Sequence, residues 1–448
     1  MRWLLRKEDL VVSKGFLERQ FKLSEHGTTV STEVTAGLTT FMTMAYILAV
    51  NPAILGAAGM DPAAVFTASA VAAAVGTLIM ALFANLPFAL APGMGLNAFF
   101  AYTVVLTMGY TWQTALTAVF LEGVIFIILT GTNIREAIIN SIPVNLKRAI
   151  SAGIGFFIAL IGFKSAGIVV PYEPTLVTVG NIASAGPMVC IIGLIVIGVL
   201  FSKKVKGALL IGMLVATAIG IPLGVTDLSA FNTDHLFSVP SLAPLFMQLD
   251  FSNVFSLDMA IILFTFLFVD MFDTVGTLIG VTAKANMLDE RGRVPNAKQA
   301  LFADAIATTA GACLGTSTVT TFVESAAGVA EGGRTGLTAL TTAAMFALAL
   351  LVAPIFLVIP AQATAPALIT VGMFMMSPIR EIDLDDYTEA IPAFLCIVMM
   401  PYTFSIAEGI IFGLTSYVVL KFFTGRRAEI PNLAYILVGL FVLKFMMH

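Results

Sequence analysis

The chain reads as an all-α polytopic membrane protein on three observations. Hydrophobic residues fill 58% of its 448 positions and charged ones only 11%. Its mean hydropathy is +0.98. Apolar runs long enough to cross a hydrocarbon core of about 30 Å recur along its whole length. A soluble domain carries roughly a quarter charged residues, so lipid is the surrounding that this composition suits. The net charge of −4 says little about partners, because Lys and Arg sit at segment ends. No basic stripe with interleaved aromatics is present, which argues against nucleic acid as a partner. Cys190, Cys313 and Cys396 all lie inside apolar runs, and His26, His235 and His448 are scattered. Neither a disulfide framework, a metal centre nor a cofactor is therefore expected.

In chain order, residues 1–31 carry Arg2, Arg6, Lys7, Lys14, Arg19 and Lys22 ahead of the first apolar run, without the pattern of a cleaved signal. They read as a retained cytoplasmic leader. Spans are predicted near 32–51, 62–84, 95–108, 112–131, 148–170, 186–202 and 206–225. An extracytoplasmic connector over 226–253 follows, with Asp227, Asp234 and Asp250 but no Lys or Arg. A second set is predicted near 254–282, 299–315, 324–332, 335–354, 361–377, 387–403 and 405–424. That makes about 14 segments in two sets of seven. The last apolar stretch, 430–447 within the terminal segment 425–448, reads as interfacial or as a half-span.

Basic residues test this order, since Lys and Arg concentrate on the cytoplasmic side of a membrane protein. With the N-terminus inside, cytoplasmic turns receive Arg135, Lys147 and Arg148, then Lys203, Lys204 and Lys206, then Lys284, Arg291, Arg293 and Lys298, and later Arg334, Arg380, Arg426 and Arg427. The other turns are nearly free of them. An odd number of crossings per set starts the second set from the opposite face, the arrangement of an inverted repeat in a secondary transporter.

Each set has an interrupted third segment. In the first, Pro87, Pro92, Gly93 and Gly95 disfavour helix ahead of a short helix beginning near Leu96. In the second, the hydroxyl-rich and β-branched stretch from Gly315 to Val323 runs into Glu324. Short extended stretches are thus expected in segments 3 and 10. Irregular backbone is tolerated at membrane depth only where protein or a watery cavity satisfies it, so both breaks point to a transport site.

Asp270, Asp273, Asp304 and Glu324 lie within or beside apolar spans, where a charged carboxylate costs about 2.5 kcal/mol or more. Asp270 and Asp273 share a helix face that Thr274 and Thr277 extend. The structural alternative is that these acids hold the bundle together through hydroxyl and backbone donors. Glu122 and Lys164 read as a structural pair between the fourth and fifth spans, and Glu389 and Glu408 as end groups. Phe99, Phe100, Phe268, Phe272 and Phe322 surround the suspected site in sequence, although in a chain with 35 Phe any one of them is more simply lipid-facing or core. Gly311 and Gly315 have GxxxG spacing, a weak pattern here. Carboxylates only accept hydrogen bonds, so a cavity holding two of them favours a flat ligand with several N–H donors, such as a purine base. Other planar amides or a hydrated cation also satisfy that pattern.

At these motifs the sequence resembles the nucleobase/ascorbate transporter superfamily and, within it, the azaguanine-type purine permeases of bacteria. The matching stretches are Glu25-His-Gly-Thr-Thr, Thr39-Thr-Phe-Met-Thr-Met-Ala-Tyr-Ile, Asn85-Leu-Pro, Ala91-Pro-Gly-Met-Gly-Leu-Asn-Ala-Phe-Phe, Phe268-Val-Asp-Met-Phe-Asp-Thr-Val-Gly-Thr-Leu, Gly315-Thr-Ser-Thr-Val-Thr-Thr, Glu324-Ser-Ala-Ala-Gly and Gly332-Gly-Arg-Thr-Gly-Leu-Thr. The resemblance implies two inverted repeats forming a core domain (32–131 and 254–354) and a gate domain (148–225 and 361–424), with dimers made through the gate. It implies uptake of purine bases such as guanine or hypoxanthine across the cytoplasmic membrane with H+, by an elevator-like movement of core against gate. Adenine preference, Na+ coupling and an anion transporter or channel of the same architecture are the alternatives. Asp270 and Glu324 would contact the base, with Asn97, Phe99 and Phe100 in the third-segment half of the pocket and Thr43, Phe272, Phe322 and Val323 around them. Asp273 and Asp304, with Asp270 and Glu324, would serve proton coupling. The acidity of Asp270 leans towards hypoxanthine/guanine permeases. An intramembrane aspartyl protease also needs two membrane carboxylates, but its Gly-x-Gly-Asp signature is absent, since Gly93-Met-Gly is followed by Leu96. No enzyme is expected.

Overall fold

The computed structural model describes residues 16–131, 143–228, 237–284, 287–288 and 294–447, without the side chains at 272, 283, 284, 433, 440 and 442–447. The first half of the leader, together with Arg135, Arg291 and Arg293, lies outside the described residues. A short helix α1 (Phe16–Phe21) leads into α2 (Val30–Met44) and α3 (Ile47–Ala57), which together make one span broken at Ala45 and Tyr46. Helix α4 (Pro62–Ile79) starts on Asp61, whose carboxylate accepts from the Ala63 backbone N–H at 2.8 Å, and it continues as a π-helix over Met80–Ala84. Asn85 stops it in a left-handed conformation with φ 52°. Strand β1 (Leu90–Pro92), helix α5 (Met94–Ala98), which runs on as a π-helix over Phe99–Thr107, and α6 (Trp112–Gly131) complete this part.

Helix α7 (Val144–Ser165), the strands β2 (Val169–Tyr172) and β3 (Leu176–Val179), and helices α8 (Ala185–Ser202) and α9 (Ala208–Gly220) follow. The second half contains α10 (Leu257–Lys284), α11 (Ala297–Leu314), β4 (Val319–Thr321), α12 (Ser325–Ala330) and α13 (Gly336–Ala349). It ends with α14 (Ala353–Leu357), α15 (Ala361–Met375), α16 (Tyr387–Thr403), α17 (Ile406–Phe423) and α18 (Asn432–Met447). Among the described residues nine helical stretches are long and apolar enough to cross a membrane. The all-α expectation is corrected at one place: β2 and β3 form an exposed hairpin between two spans, with Tyr172 opposite Leu176. Val169-Val-Pro and Leu176-Val-Thr-Val are β-branched runs around a Pro-containing turn, and Leu176 takes φ 67° there. Helix α18 has 16 residues, about 24 Å at 1.5 Å per residue, and it packs on α17.

The helices pack as two sets. In the first, α11 lies against α6 and α4, α13 against α2 and α4, and α10 against α6. In the second, α7 lies against α15 and α16, α16 against α17, and α9 against α8 and α15. Contacts between the sets are sparser, as where a side chain on Gly95 would meet Ile154 Cγ2 at 2.7 Å. The connector from 237 onward is strapped over one end of the first set. Thr67 donates to the Pro240 carbonyl at 3.0 Å, the Met247 N–H to the Cys313 carbonyl at 2.8 Å, and Thr114 to Asp250 at 3.1 Å.

A buried acid that sequence reading passed over closes the other end. Glu33 has no exposure, and its carboxylate accepts from the backbone N–H groups of Arg334 (2.8 Å), Thr335 (3.2 Å) and Thr338 (3.1 Å) and from the hydroxyls of Thr335 (2.9 Å) and Thr338 (2.6 Å). A carboxylate at the N-terminus of α13 takes up the donors that a helix leaves unpaired in its first turn. The stretch from Gly332 to Thr338 is thereby explained as a cradle for this acid. At the same end of the second set Lys421, also without exposure, meets Glu389 and Glu429 at 2.7 Å each. Arg426 bonds Asp386 and Glu429, and Arg148 meets Glu381 at 3.0 Å.

Two stability predictions follow from these ends. Replacing Glu33 by Ala strands several buried donors and should lower stability by about 3 kcal/mol or more, with Glu33→Gln in between. Thermal unfolding in detergent micelles measures it, and equal melting of all three proteins would contradict the cradle. The hydrogen bonds from Arg426 and then Thr388 hold the Asp386 carboxyl well below the ordinary carboxylate range, and those from Arg426 and then Lys421 hold Glu429 below it. Both are depressed, so their stabilisation is present above the ordinary carboxylate value of about 4 and is lost as pH falls below it towards the folded values. Arg426→Gln should therefore lose less melting temperature than wild type between about pH 5 and about pH 3.

Candidate functional site: acids at a crossing of two broken segments

The site is built on β1 and β4, one from each half of the chain. They pair antiparallel, with Leu90 opposite Thr321, Ala91 opposite Thr320 and Pro92 opposite Val319. The ribbon is extended by the Gly93 N–H donating to the Thr318 carbonyl and the Phe322 N–H to the Ala89 carbonyl, both at 2.9 Å. Hydroxyls complete the backbone pairing. The Thr77 oxygen accepts from the Leu90 N–H at 2.9 Å, Ser325 from the Ala89 N–H at 3.0 Å, and Thr308 donates to the Val319 carbonyl at 2.9 Å. Extended backbone buried among apolar helices needs such partners. Gly315, at φ 94°, ends α11 and releases the chain into β4. Gly93 lets the strands approach, because a Cβ there would lie 2.6 Å from Thr320 Cγ2. Gly311 serves the same ribbon: its added Cβ would meet Val319 Cγ2 at 2.8 Å, not a neighbouring helix.

The acids around this ribbon fall into two groups. Asp270 and Asp304 have no exposure and converge on Thr274. The Thr274 hydroxyl lies 2.9 Å from Asp304 Oδ1, 3.4 Å from Asp270 Oδ1 and 2.7 Å from the Thr320 hydroxyl. A hydroxyl has one proton to give. The shorter contacts are met together when Thr320 donates to Thr274 and Thr274 donates to Asp304. Thr321 adds a longer contact to Asp304 at 3.5 Å. The second group is Asp273, Glu324 and Tyr46. The Tyr46 hydroxyl donates to Glu324 Oε1 at 2.7 Å, and Asp273 is close enough for its charge to interact with both Glu324 and Tyr46. Glu324 occupies the N-cap of α12 without capping it, so its carboxylate is turned to Tyr46 instead.

The structure thus divides the acids differently from the expectation that Asp270 faces Glu324. Asp273 is the α10 carboxylate whose charge reaches Glu324 and Tyr46, while Asp270 shares the Thr274 hydroxyl with Asp304. Asn97 is fully buried; it accepts from the Ser317 hydroxyl and donates to the Pro92 carbonyl at 3.4 Å. Phe99 and Phe100 are fully buried, with Phe99 edge-on to Phe266 at 4.9 Å between ring centres. Phe322 is buried beside β4, and Thr43 is half-buried with its hydroxyl donated to the Thr40 carbonyl at 2.8 Å. Val323 is 53% exposed. The Phe272 side chain lies outside the described residues. The expected Glu122 and Lys164 pair is corrected: Glu122 accepts from Thr318 at 2.6 Å, and Lys164 lies over the Phe404 ring at 4.7 Å. Tyr46 is the partner of Glu324 that sequence reading missed, while Glu122, read there as structural, bonds Thr318 beside the ribbon. A phenol in mid-span needs a partner for its hydroxyl, which was the available signal for Tyr46.

A cavity of about 100 Å³ lies nearby and is lined by Phe99, Thr103, Ile262, Ser405 and Glu408 among others, but by none of the four acids above. Among the described residues no group of His, Cys, Asp and Glu is arranged to hold a metal.

Apolar spans, a paired break in two of them and acids gathered at that crossing are the features of a membrane transporter. The chain belongs to a family described as the permease family, whose model matches residues 31–412. It is 49% identical over 431 residues to a putative permease of Methanocaldococcus jannaschii, covering 96% of this chain and 98% of that one. It is 45% identical to the adenine permease AdeQ of Escherichia coli, with 97% of each chain covered. To the guanine/hypoxanthine permease PbuG of Bacillus subtilis it is 44% identical, covering 95% of this chain and 98% of the relative. The resemblance to bacterial purine permeases is therefore borne out. The fold is also that of the transmembrane domain of the cyanobacterial bicarbonate transporter BicA, at TM-score 0.64 and 17% identity, covering 84% of this chain and 97% of that one.

The close approach at Gly93 generates a test. Gly93→Val overpacks the ribbon against Thr320, which should cost roughly 1–3 kcal/mol and abolish transport. A variant that melts and transports as wild type would mean that the two strands separate freely.

Proposed function

We propose that this chain takes up purine nucleobases across the cytoplasmic membrane together with protons. The observation that carries the reading is the Glu324 carboxylate beside the crossing of β1 and β4, bonded by the Tyr46 hydroxyl and within the electrostatic reach of Asp273. Two carboxylates at close range repel strongly in a water-poor site, and a proton or an N–H donor between them relieves that repulsion. A purine edge supplies such donors, and the names of the adenine and guanine/hypoxanthine permease relatives point to the same substrate class. Asp270 and Asp304, linked through Thr274, are the reserve acids through which a proton would reach or leave the pair. The acidity of Asp270 still inclines the reading towards hypoxanthine and guanine, with adenine as the alternative. Relatives of both preferences are similar at 44% to 45% identity, so the preferred purine is decided by competition among bases.

In this reading the first helix set (32–131 and 254–354) is the core that carries the site, and the second (148–225 and 361–424) is the gate against which it moves. The two halves act as inverted repeats of seven segments, the N-terminus is cytoplasmic, and two copies join through the gate. Sparse contacts between the sets support relative motion. A neutral base moving with H+ carries charge inward, so the membrane potential drives uptake with about 2.3 kcal/mol per 100 mV.

Glu324→Gln should abolish uptake of labelled purine while the protein still folds, since a charged acceptor is worth on the order of 1.5–3 kcal/mol in binding. Asp304→Asn should impair proton-driven accumulation more than binding. Both are measured in proteoliposomes with and without a protonophore. Wild-type uptake by Glu324→Gln, or uptake indifferent to the protonophore, would remove the mechanism.

A further inference from the structure

We infer that Asn51 is a positioning residue for the substrate site: it ties the helix that carries Tyr46 to the stretch of chain that carries Glu324, and so sets how the phenol meets that carboxylate. The inference rests on the reading of Glu324 as the acceptor of the base. Asn51, Ser69 and Thr316 are buried without exposure where α3 packs on α4. The Asn51 side-chain amide donates to the Ser69 hydroxyl at 2.6 Å and to the Thr316 hydroxyl at 3.0 Å. Ser69 gives its own proton to the Val65 carbonyl at 2.6 Å, so towards Asn51 it acts as the acceptor. That commitment fixes which way round the amide sits, and its two N–H groups are both used.

Each partner belongs to a different element. Ser69 lies within α4, the helix that also supplies Thr77 to β1. Thr316 follows Gly315, where α11 ends, and its N–H donates to the Gly311 carbonyl at 2.9 Å. From Thr316 the chain runs through β4 to Glu324. Helix α3 therefore meets this one stretch twice, through Asn51 at Thr316 and through Tyr46 at Glu324. Between the two contacts β4 is paired to β1, which sets the length and direction of the chain there. On the other side, Tyr46 and Asn51 are five positions apart, about 7.5 Å of helical rise. Pro52 has no N–H to bond the Leu48 carbonyl, so the start of α3 is held by fewer backbone bonds than a regular helix. The Asn51 amide makes up part of that restraint. A hydrogen bond weakens steeply as its angle departs from linear, so freeing the Asn51 end of α3 spoils the Tyr46 contact at the other end.

The test is a double-mutant cycle on uptake of labelled adenine and guanine in proteoliposomes. Tyr46→Phe should raise the KM roughly tenfold, the size of one lost hydrogen bond, and Asn51→Ala should raise it by a comparable factor. The two together should stay within about twofold of Tyr46→Phe alone, because the second change acts through a bond that is already gone. Thr316→Val removes the same tie and stands in where Asn51→Ala fails to assemble, while Thr316→Ser keeps the hydroxyl and should restore the wild-type KM. A purely structural amide behaves otherwise: melting temperature and maximal rate fall in Asn51→Ala and Thr316→Val with the KM unchanged, or the KM losses multiply across the pair. Either result would overturn the positioning role. Wild-type uptake by Glu324→Gln refutes the site itself and the inference with it, whereas multiplying losses beside an inactive Glu324→Gln refute the inference alone.

Discussion

The pairing of β1 with β4 is the constraint on which the rest of the structure depends. Two stretches of extended chain are buried among apolar helices, where unmet N–H and C=O groups cost several kcal/mol each. They meet that cost by bonding each other and the hydroxyls of Thr77, Thr308 and Ser325. Residues far apart in sequence are thereby locked side by side. Because the ribbon is short, each half leaves it as a helix within a few residues, placing Asn97 on one side and Glu324 on the other. Any displacement of β4 shifts Thr320 and Thr321, and with them the network around Asp304.

That dependence gives the two acid groups different characters. Asp270 and Asp304 are anchored by hydroxyls on helix and ribbon, so their geometry is set by the fold itself. Glu324 is held by one phenol, from the break between α2 and α3. The Tyr46 and Glu324 contact is a single hydrogen bond, whereas Asp304 is met by the hydroxyls of both Thr274 and Thr321.

The helical, membrane-type character of the chain and its two interruptions were legible in the sequence because hydropathy, Pro, Gly and β-branched runs are local signals. The stretch of α10 that puts Asp270, Asp273 and Thr274 on one face was legible for the same reason. What was not legible is which acid on that face meets which acid from elsewhere. Helical spacing fixes a face to within one turn, whereas Asp270 and Asp273 are separated by less than one turn. Packing of α10 against β4 decides between them, and that is a property of three dimensions. The partners of Glu33 and Glu122 were not legible for a related cause: Thr335, Thr338 and Thr318 lie more than 190 positions away in the chain.

The fold alone does not choose a substrate, since a bicarbonate transporter shares it at 17% identity. A carboxylate pair at the crossing would repel an anion, while a base with N–H donors gains from the same charges. The hydroxyls that satisfy the ribbon occupy its flanks in Thr77, Thr308 and Ser325, leaving the outward side chains free to vary in charge without exposing the backbone. A scaffold whose backbone is satisfied independently of its ligand can carry either sign of charge.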